Sequence, residues 1–420
     1  MLFIDSVNAT DFDQFQTPDF DATSVVENSE TEDTPWKNQF KFSTGINDQN
    51  NIIINRLSWR PQWQGLQDEY TYWSIDAKLR VYDQQDMQFD SSQELDYDLN
   101  ILSLYLQKTY TKSSLKAGYQ TLALGYMDLL TVSNIFTPQD FSEPLFIDPE
   151  DSKIGQPIIN WSWYSEKRQI DLYINLYPAE NRYPVSNLEQ ILTDFLGTNN
   201  FTLNDGLPDA GSEPEVLIKI QSQNDKHEYQ WIIASLLQND PNLKPVSLSI
   251  PVIFTTEYPR YEMLAGAYSY TKGNHQLKTE ASYKNGLKPI DAGNLTIHET
   301  ALALGWEYNA NGNYTLTIES VKTWREIPGQ SAGLIAEDII ETDLDQTVAS
   351  FRKNFLNETV SLTILFGNIN PGDINITSLA ISYTPVDDLI FELIATEIDS
   401  DDNQYNIFTS STLVSGSYHW

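Results

Sequence analysis

The sequence predicts an all-β chain that closes into a transmembrane antiparallel β-barrel of roughly 14 to 16 strands, with a loop or plug folded inward. Three observations carry that expectation. Runs of about 9 to 14 residues alternate apolar and polar side chains, whereas strands of soluble sheets average about 5 or 6 residues. Aromatic residues such as Trp59, Trp63, Trp161, Trp163, Trp306 and Trp324 fall near the ends of these runs, where an interfacial girdle would need them. The chain also ends in TLVSGSYHW, in which Val414, Gly416, Tyr418 and Trp420 alternate.

Residues 1–36 hold nine acids and no Lys or Arg, a bias that repels itself and predicts a flexible leader. Phe12, Phe15 and Phe20 are spaced among those acids, which suits folding against a partner surface or into a cavity. From Lys37 to Trp420 the texture is that of one barrel domain. In YTYWSIDAKLRVYD, Trp73, Ile75, Ala77, Leu79 and Val81 share one face, and Ser74, Asp76, Lys78 and Arg80 share the other. The same division recurs in QIDLYINLYP, TIHETALALGWEYN, NYTLTIESVKTW, NITSLAISYTP and DLIFELIATEI. Asn285-Gly286 and Asn311-Gly312 read as hairpin turns. A short segment near Ser186 to Leu196 is the one stretch with helical spacing. At roughly 24 residues per strand and connection, the chain after the leader makes about 16 strands.

Composition removes whole classes of function. With 25 Lys plus Arg against 59 Asp plus Glu, the formal charge is −34, so a nucleic-acid partner is excluded for want of clustered cations. No stretch of about 20 apolar residues offers a spanning helix. There is no Cys, and His227, His275, His298 and His419 stand without metal-ligand spacing. No nucleophile elbow or phosphate-cradling glycine loop is present, so no enzyme and no cofactor are implied. The opening MLFIDSVNAT has neither a basic region nor a long apolar one, so no signal peptide is read in it.

A barrel of this size has a lumen, and its inward polar positions supply the candidate lumen-lining residues: Asp76, Lys78, Arg80, Asp171, Asn175, Lys219, Glu299 and Glu319. An acidic lumen would prefer cations. The connection from Leu129 to Ile154 is longer than an ordinary hairpin and carries the TPQD and DPED turns. We expect it to fold inward as a constriction loop, with Asn134, Pro138, Asp140, Asp148, Glu150 and Asp151 as its candidate residues. Removing Asn134 to Ile154 should then raise conductance.

The stretch Leu106 to Pro184 resembles the family of large Gram-negative outer-membrane barrels that accompany resistance-nodulation-division type transporters of lipids and hydrophobes, and more distantly the alginate-export barrels. The matching features are AGYQ (Ala117 to Gln120), Gly125 and Asp128, the TPQDF turn (Thr137 to Phe141), DPEDSKI (Asp148 to Ile154), Trp163-Tyr164 and LYP (Leu176 to Pro178). SEPEVLIKIQ from Ser212 resembles the family's return from a long loop, and the terminal aromatic strand resembles the assembly signal of such barrels. Where relatives commonly carry Arg and Trp, this chain has Tyr119 and Leu124, which implies a different selectivity. The resemblance implies an outer-membrane channel for a hydrophobic or amphiphilic compound, surrounded by outer-membrane lipid and partnered by an inner-membrane pump or a periplasmic carrier. Two other readings stay open: a general porin for sugars or ions, and a soluble secreted β-protein that binds glycans through exposed aromatics.

Overall fold

A computed structural model describes residues 36–83, 95–141, 152–182, 201–203, 213–247, 252–288, 295–310, 313–328, 343–370, 374–399 and 410–420. The alternating runs form strands, and no helix is present among the described residues. In chain order the first ten are β1 (Trp36–Asn47), β2 (Ile52–Asp68), β3 (Thr71–Asp83), β4 (Leu95–Tyr110), β5 (Ser113–Gln120), β6 (Gln156–Ser165), β7 (Arg168–Asn175), β8 (Phe201–Leu203), β9 (Glu215–Asn224) and β10 (His227–Leu237). The next six are β11 (Asn242–Ser247), β12 (Val252–Glu257), β13 (Arg260–Lys272), β14 (His275–Leu287), β15 (Ile297–Asn309) and β16 (Tyr314–Glu326). The last five are β17 (Asp343–Phe355), β18 (Val360–Asn370), β19 (Ile374–Val386), β20 (Leu389–Asp399) and β21 (Ser411–His419).

Eighteen strands pair antiparallel with their neighbours in one sheet, and β1 closes it by pairing with β21 from Gln39 opposite His419 to Asn47 opposite Ser411. Closure leaves no free edge, which is what a sheet needs if its backbone is to sit in hydrocarbon. The strands β8, β11 and β12 form a separate three-stranded sheet carried by two long connections. The count of eighteen corrects the expected 14 to 16. At one end of the barrel the turns 69–70, 111–112, 166–167, 225–226, 273–274 and 387–388 have two residues and 310–313 and 356–359 have four, so each strand consumes less chain than assumed. The opposite end carries the long connections 84–94, 121–155, 176–214, 238–259 and 327–342. Trp36 and Trp420 lie at the short-turn end, tied by Asn38 N–H to Trp420 O at 2.9 Å and Trp420 N–H to Asn38 O at 3.1 Å. Short turns at the end that holds Trp36 and Trp420 and long loops at the other match transmembrane barrels of bacterial outer membranes.

Side-chain direction follows the predicted alternation. Phe40, Phe42, Leu57, Trp59, Trp161, Trp163, Leu302, Leu304, Leu393 and Val414 are exposed on the outer face. Ser43, Arg56, Lys78, Asn100, Asn160, Asp171, Glu280 and Glu319 are buried on the inner one. That is the inverse of a soluble sheet, and it marks the outside as the lipid face of a transmembrane β-barrel. On β21 the expected outward alternation holds, with Val414, Tyr418 and Trp420 exposed.

Three expectations need adjustment. Asn285-Gly286 does not turn a hairpin: it sits inside β14, where the register against β15 shifts between Asn285 and Leu287, a β-bulge with Gly286 at φ 99°. Trp36 belongs to β1 rather than to the leader, and the rest of the leader lies outside the described residues, as does the helical segment near Ser186 to Leu196. Asn311-Gly312 also lies outside them, between β15 and β16.

Candidate functional site

The connection between β5 and β6 folds into the barrel. Leu124, Met127, Leu129, Leu130, Val132 and Phe136 are buried there. Met127, Leu129, Leu130 and Val132 pack on an inner wall of Ala301, Ala303, Val321, Val348, Leu365, Ile369, Ile374 and Ile376, from β15 to β19. Leu124 and Phe136 pack on Ile158, Leu217, Ile232, Tyr261 and Met263, from β6 to β13. An apolar inner wall is unusual for a water-filled barrel, and here it is the seat of the loop.

Polar contacts clamp that seat. Glu280 of β14 accepts hydrogen bonds at Oε1 from the backbone N–H of Tyr126 (2.5 Å) and Met127 (2.9 Å). Its Oε2 accepts from Thr131 Oγ1 (3.0 Å), Val132 N (3.1 Å), Ser133 N (3.3 Å) and Ser133 Oγ (2.7 Å). Glu319 of β16 accepts from Asp128 N (2.9 Å), Leu129 N (2.8 Å) and Leu130 N (2.7 Å). Gln230 of β10 accepts from Gly125 N at 2.7 Å. A non-regular segment buried in a barrel must find partners for its amides, and two wall carboxylates supply them. Gly125 makes the approach possible. Its φ is +88°, and a Cβ there would lie 2.1 Å from Glu280 Oε1. Lys278 of β14 bonds Asp128 and, at 2.9 Å, Glu307. Burial, with Glu228 and Glu280 nearby, raises the Tyr126 phenol well above its ordinary value, so it stays neutral.

The far end of the loop is fastened on the opposite side of the lumen. Asp140, fully buried, meets Arg80 of β3 at 2.6 Å and Arg182 at 3.1 Å, while Arg80 also bonds Asp98 of β4. Pro138 O accepts from Ile154 N at 2.9 Å, and Asp140 N donates to Ser152 O at 2.5 Å. Asn134 Oδ1 accepts from Leu124 N at 3.1 Å. The expected inward loop is therefore observed, with Asn134, Pro138 and Asp140 in it. Asp148, Glu150 and Asp151 lie outside the described residues.

All eight candidate wall residues point inward. Asp76 pairs with Arg60 (2.8 Å), Lys219 with Asp171 (3.1 Å), and Glu299 with Lys284 (2.8 Å) and Arg325 (3.2 Å). Asn175 bonds Gln156 Oε1 at 2.6 Å and Glu215 Oε2 at 2.9 Å. Glu319 is part of the clamp rather than a lining of open water. Sequence reasoning missed Glu280, Gln230 and Lys278, which stand at inward positions of their strands with no motif to distinguish them. Of the two departures from the family that the sequence resembles, Tyr119 is exposed on the outer face and Leu124 is a buried residue of the loop itself, so neither lines an opening.

Across β20, β21, β1, β2 and β3 the inner face is ordered in rows. One row is Ile394, Leu413, Gly45 and Ile54, and the next is Glu392, Ser415, Ser43, Arg56 and Tyr82. Below them run Ser417, Lys41, Ser58, Arg80 and Asp98, then His419, Gln39 and Arg60. A cationic stripe of Lys41, Arg56, Arg60, Lys78 and Arg80 thus adjoins an apolar strip in which Ile54, Ile394 and Leu413 pack together.

The fold of the barrel has known counterparts. The barrel is similar to OpdK of Pseudomonas aeruginosa bound to vanillate, with 8% identity, TM-score 0.56, and coverage of 92% of this chain and 97% of that one. The chain has the fold of these outer-membrane barrels. OccK8 (OprE) of Pseudomonas aeruginosa is similar at 9% identity and TM-score 0.55, covering 93% of this chain and 98% of that one. OccAB3 of Acinetobacter baumannii is similar at 9% identity and TM-score 0.53, covering 92% and 98%. No protein-family model matches the sequence, and no curated protein does.

Proposed function

We propose that the protein is an outer-membrane channel of Gram-negative bacteria that admits small amphiphilic anions past the clamped loop. The observation that carries this reading is the register that sets Arg56 in the row next to Ile54, Ile394 and Leu413, with Lys41 and Arg80 in the row after it and Lys78 further along the same inner face. A solute with a charged end and an apolar body meets both surfaces at once, and fixed cations in a narrow, poorly screened lumen raise the local anion concentration. The vanillate named with OpdK is a small aromatic carboxylate, which fits the same class. The acids expected to make the lumen cation-selective are engaged: Glu280 and Glu319 hold the loop, and Asp76, Asp171 and Glu299 are paired with wall cations. Within the stripe Lys41, Arg60 and Arg80 are likewise paired, with Glu392, Asp76 and Asp98.

The general-porin reading shares the polar wall and the constriction. A conduit for a wholly hydrophobic compound fits a charged wall less well, and partnership with an inner-membrane pump or periplasmic carrier rests on the family resemblance. The deciding measurement is the reversal potential of the purified barrel in a planar bilayer under a salt gradient. An anion preference that falls in the Arg56→Gln, Lys78→Gln variant supports the reading. A cation preference in the unaltered protein overturns it.

A further inference from the structure

The inner face of β20, β21, β1 and β2 presents its chemistry in a fixed order from the short-turn mouth upward. Going up β1 from Trp36, the inward rows hold Gln39 with Arg60, then Lys41 with Ser58, then Ser43 with Arg56. The next row holds Gly45 with Ile54, level with Leu413 and Ile394. Cations come first, and the apolar strip comes after them.

This face is covered from within. Ile54, Arg56, Ile394 and Leu413 are 4%, 3%, 5% and 4% exposed, although they point into an eighteen-stranded barrel, a size that leaves an open channel unless something fills it. The loop between β5 and β6 packs its apolar side chains on the walls from β6 to β13 and from β15 to β19. Among the described residues the strip packs against Ile53 and Ala380, which belong to the wall itself.

The acidic leader carries the complementary chemistry in the same order. Counted back from Trp36, it offers Asp33, Glu32, Glu30 and Glu27 before any aromatic residue, and then Phe20, Phe15 and Phe12. Its reach is sufficient. From Trp36 to Gly45, level with the strip, the distance along β1 is about 30 Å at the usual strand rise. Phe20 stands 16 residues before Trp36, and a chain of that length spans up to about 55 Å, which leaves slack for a turn at the mouth. Lys41 and Arg60 already meet Glu392 and Asp76, but ammonium and guanidinium groups carry more N–H donors than one carboxylate uses.

We infer that the leader is an internal ligand of the barrel: residues 1–35 turn into the lumen at the short-turn mouth and dock on this face, with the acids nearest Trp36 on Arg60, Lys41 and Arg56 and the phenylalanines on Ile54, Ile394 and Leu413. Ring burial on the strip drives the contact, and fixed cations in a confined lumen guide the acidic chain to it. The seated leader narrows the pore and competes with a permeating anion for one wall, so it acts as an inhibitor built into the chain. Docking is a matter of position rather than of flux, so it stands or falls apart from the anion preference proposed above.

The test uses the full-length chain, which has no Cys, so an introduced pair is its only route to an intramolecular disulfide. Phe20→Cys or Phe15→Cys is combined with Leu413→Cys on the strip or, as the control, with Ser269→Cys at a buried inward position of β13 on the opposite wall. Each barrel, folded by the heat-dependent gel shift, is oxidised mildly and run on a non-reducing gel. At least one of the two leader positions should crosslink to Leu413→Cys at least fivefold more than to Ser269→Cys. Changing Glu27, Glu30, Glu32 and Asp33 to their amides should lower that yield at least threefold. In a planar bilayer the Phe12→Ser, Phe15→Ser, Phe20→Ser variant should conduct at least twice as well as the unaltered protein. Equal yields for the strip and the control would overturn the docking. An amide variant that crosslinks as before would overturn the pairing with the cations, and equal conductance of the phenylalanine variant and the unaltered protein would overturn the inhibition.

Discussion

Replacing Glu280 and Glu319 by Ala should release the loop from the wall while leaving the barrel closed. Glu280 accepts six hydrogen bonds and Glu319 three, all from loop residues 126–133. Each hydrogen bond to a charged acceptor contributes about 1.5–3 kcal/mol, but bonds sharing one carboxylate do not add, so a sum over nine would overshoot. Taking one buried carboxylate lost with its donors unpaired as about 4 kcal/mol, and 1.4 kcal/mol per tenfold, each substitution lowers the ratio of seated to released loop by roughly a thousandfold. The apolar seat under Leu129 and Leu130 remains, so the loop should sample both positions rather than leave for good. Single-channel recording in a planar bilayer reads this directly as a larger mean conductance with frequent steps between levels. The clamp reasoning is refuted if the double variant, folded by the heat-shift criterion, shows the conductance and noise of the unaltered protein.

Two further substitutions probe the other anchor and the lipid face. Arg80→Gln leaves the fully buried Asp140 with Arg182 at 3.1 Å, and breaking such a buried pair costs about 3–5 kcal/mol. Limited proteolysis between Asp140 and Ser152 should accelerate with the barrel intact, and an unchanged cleavage rate contradicts the anchor. Leu304→Arg places a charge at a position of β15 that is 58% exposed. If that face meets lipid near the midplane, the cost is about 2–4 kcal/mol, read as a lower denaturant midpoint in vesicles. No shift would count against the lipid assignment.

The fold was legible because the barrel writes its environment into every second residue. Trp73, Ile75, Leu79 and Val81 stand on the lipid face, and Asp76, Lys78 and Arg80 on the inner one, as the period of two requires. Strand number was less legible, since it depends on turn length, and a two-residue turn such as 225–226 leaves almost no interruption between two alternating runs. Asn285-Gly286 shows the same limit from the other side. The pair suits a tight turn, but a bulge needs the same backbone, and only the partner strand distinguishes them.

The site was legible by halves, and the reason is the kind of contact that builds it. The loop announced itself through length and its proline turns, and Arg80 and Asp140 could each be singled out, though not as a pair. The clamp could not be seen, because Glu280 and Glu319 bind backbone amides lying 147 to 191 positions away in sequence, and an amide carries no residue identity. Among 59 acids the alternation of its strand places Glu319 on the inner face, but nothing marks it or Glu280 as a holder of the loop except that a barrel turns their strands toward the same stretch of chain. The overall charge of −34 does not by itself describe the lumen for the same reason: Glu280 and Glu319 accept several N–H groups, and Asp76, Asp171 and Glu299 each face a wall cation.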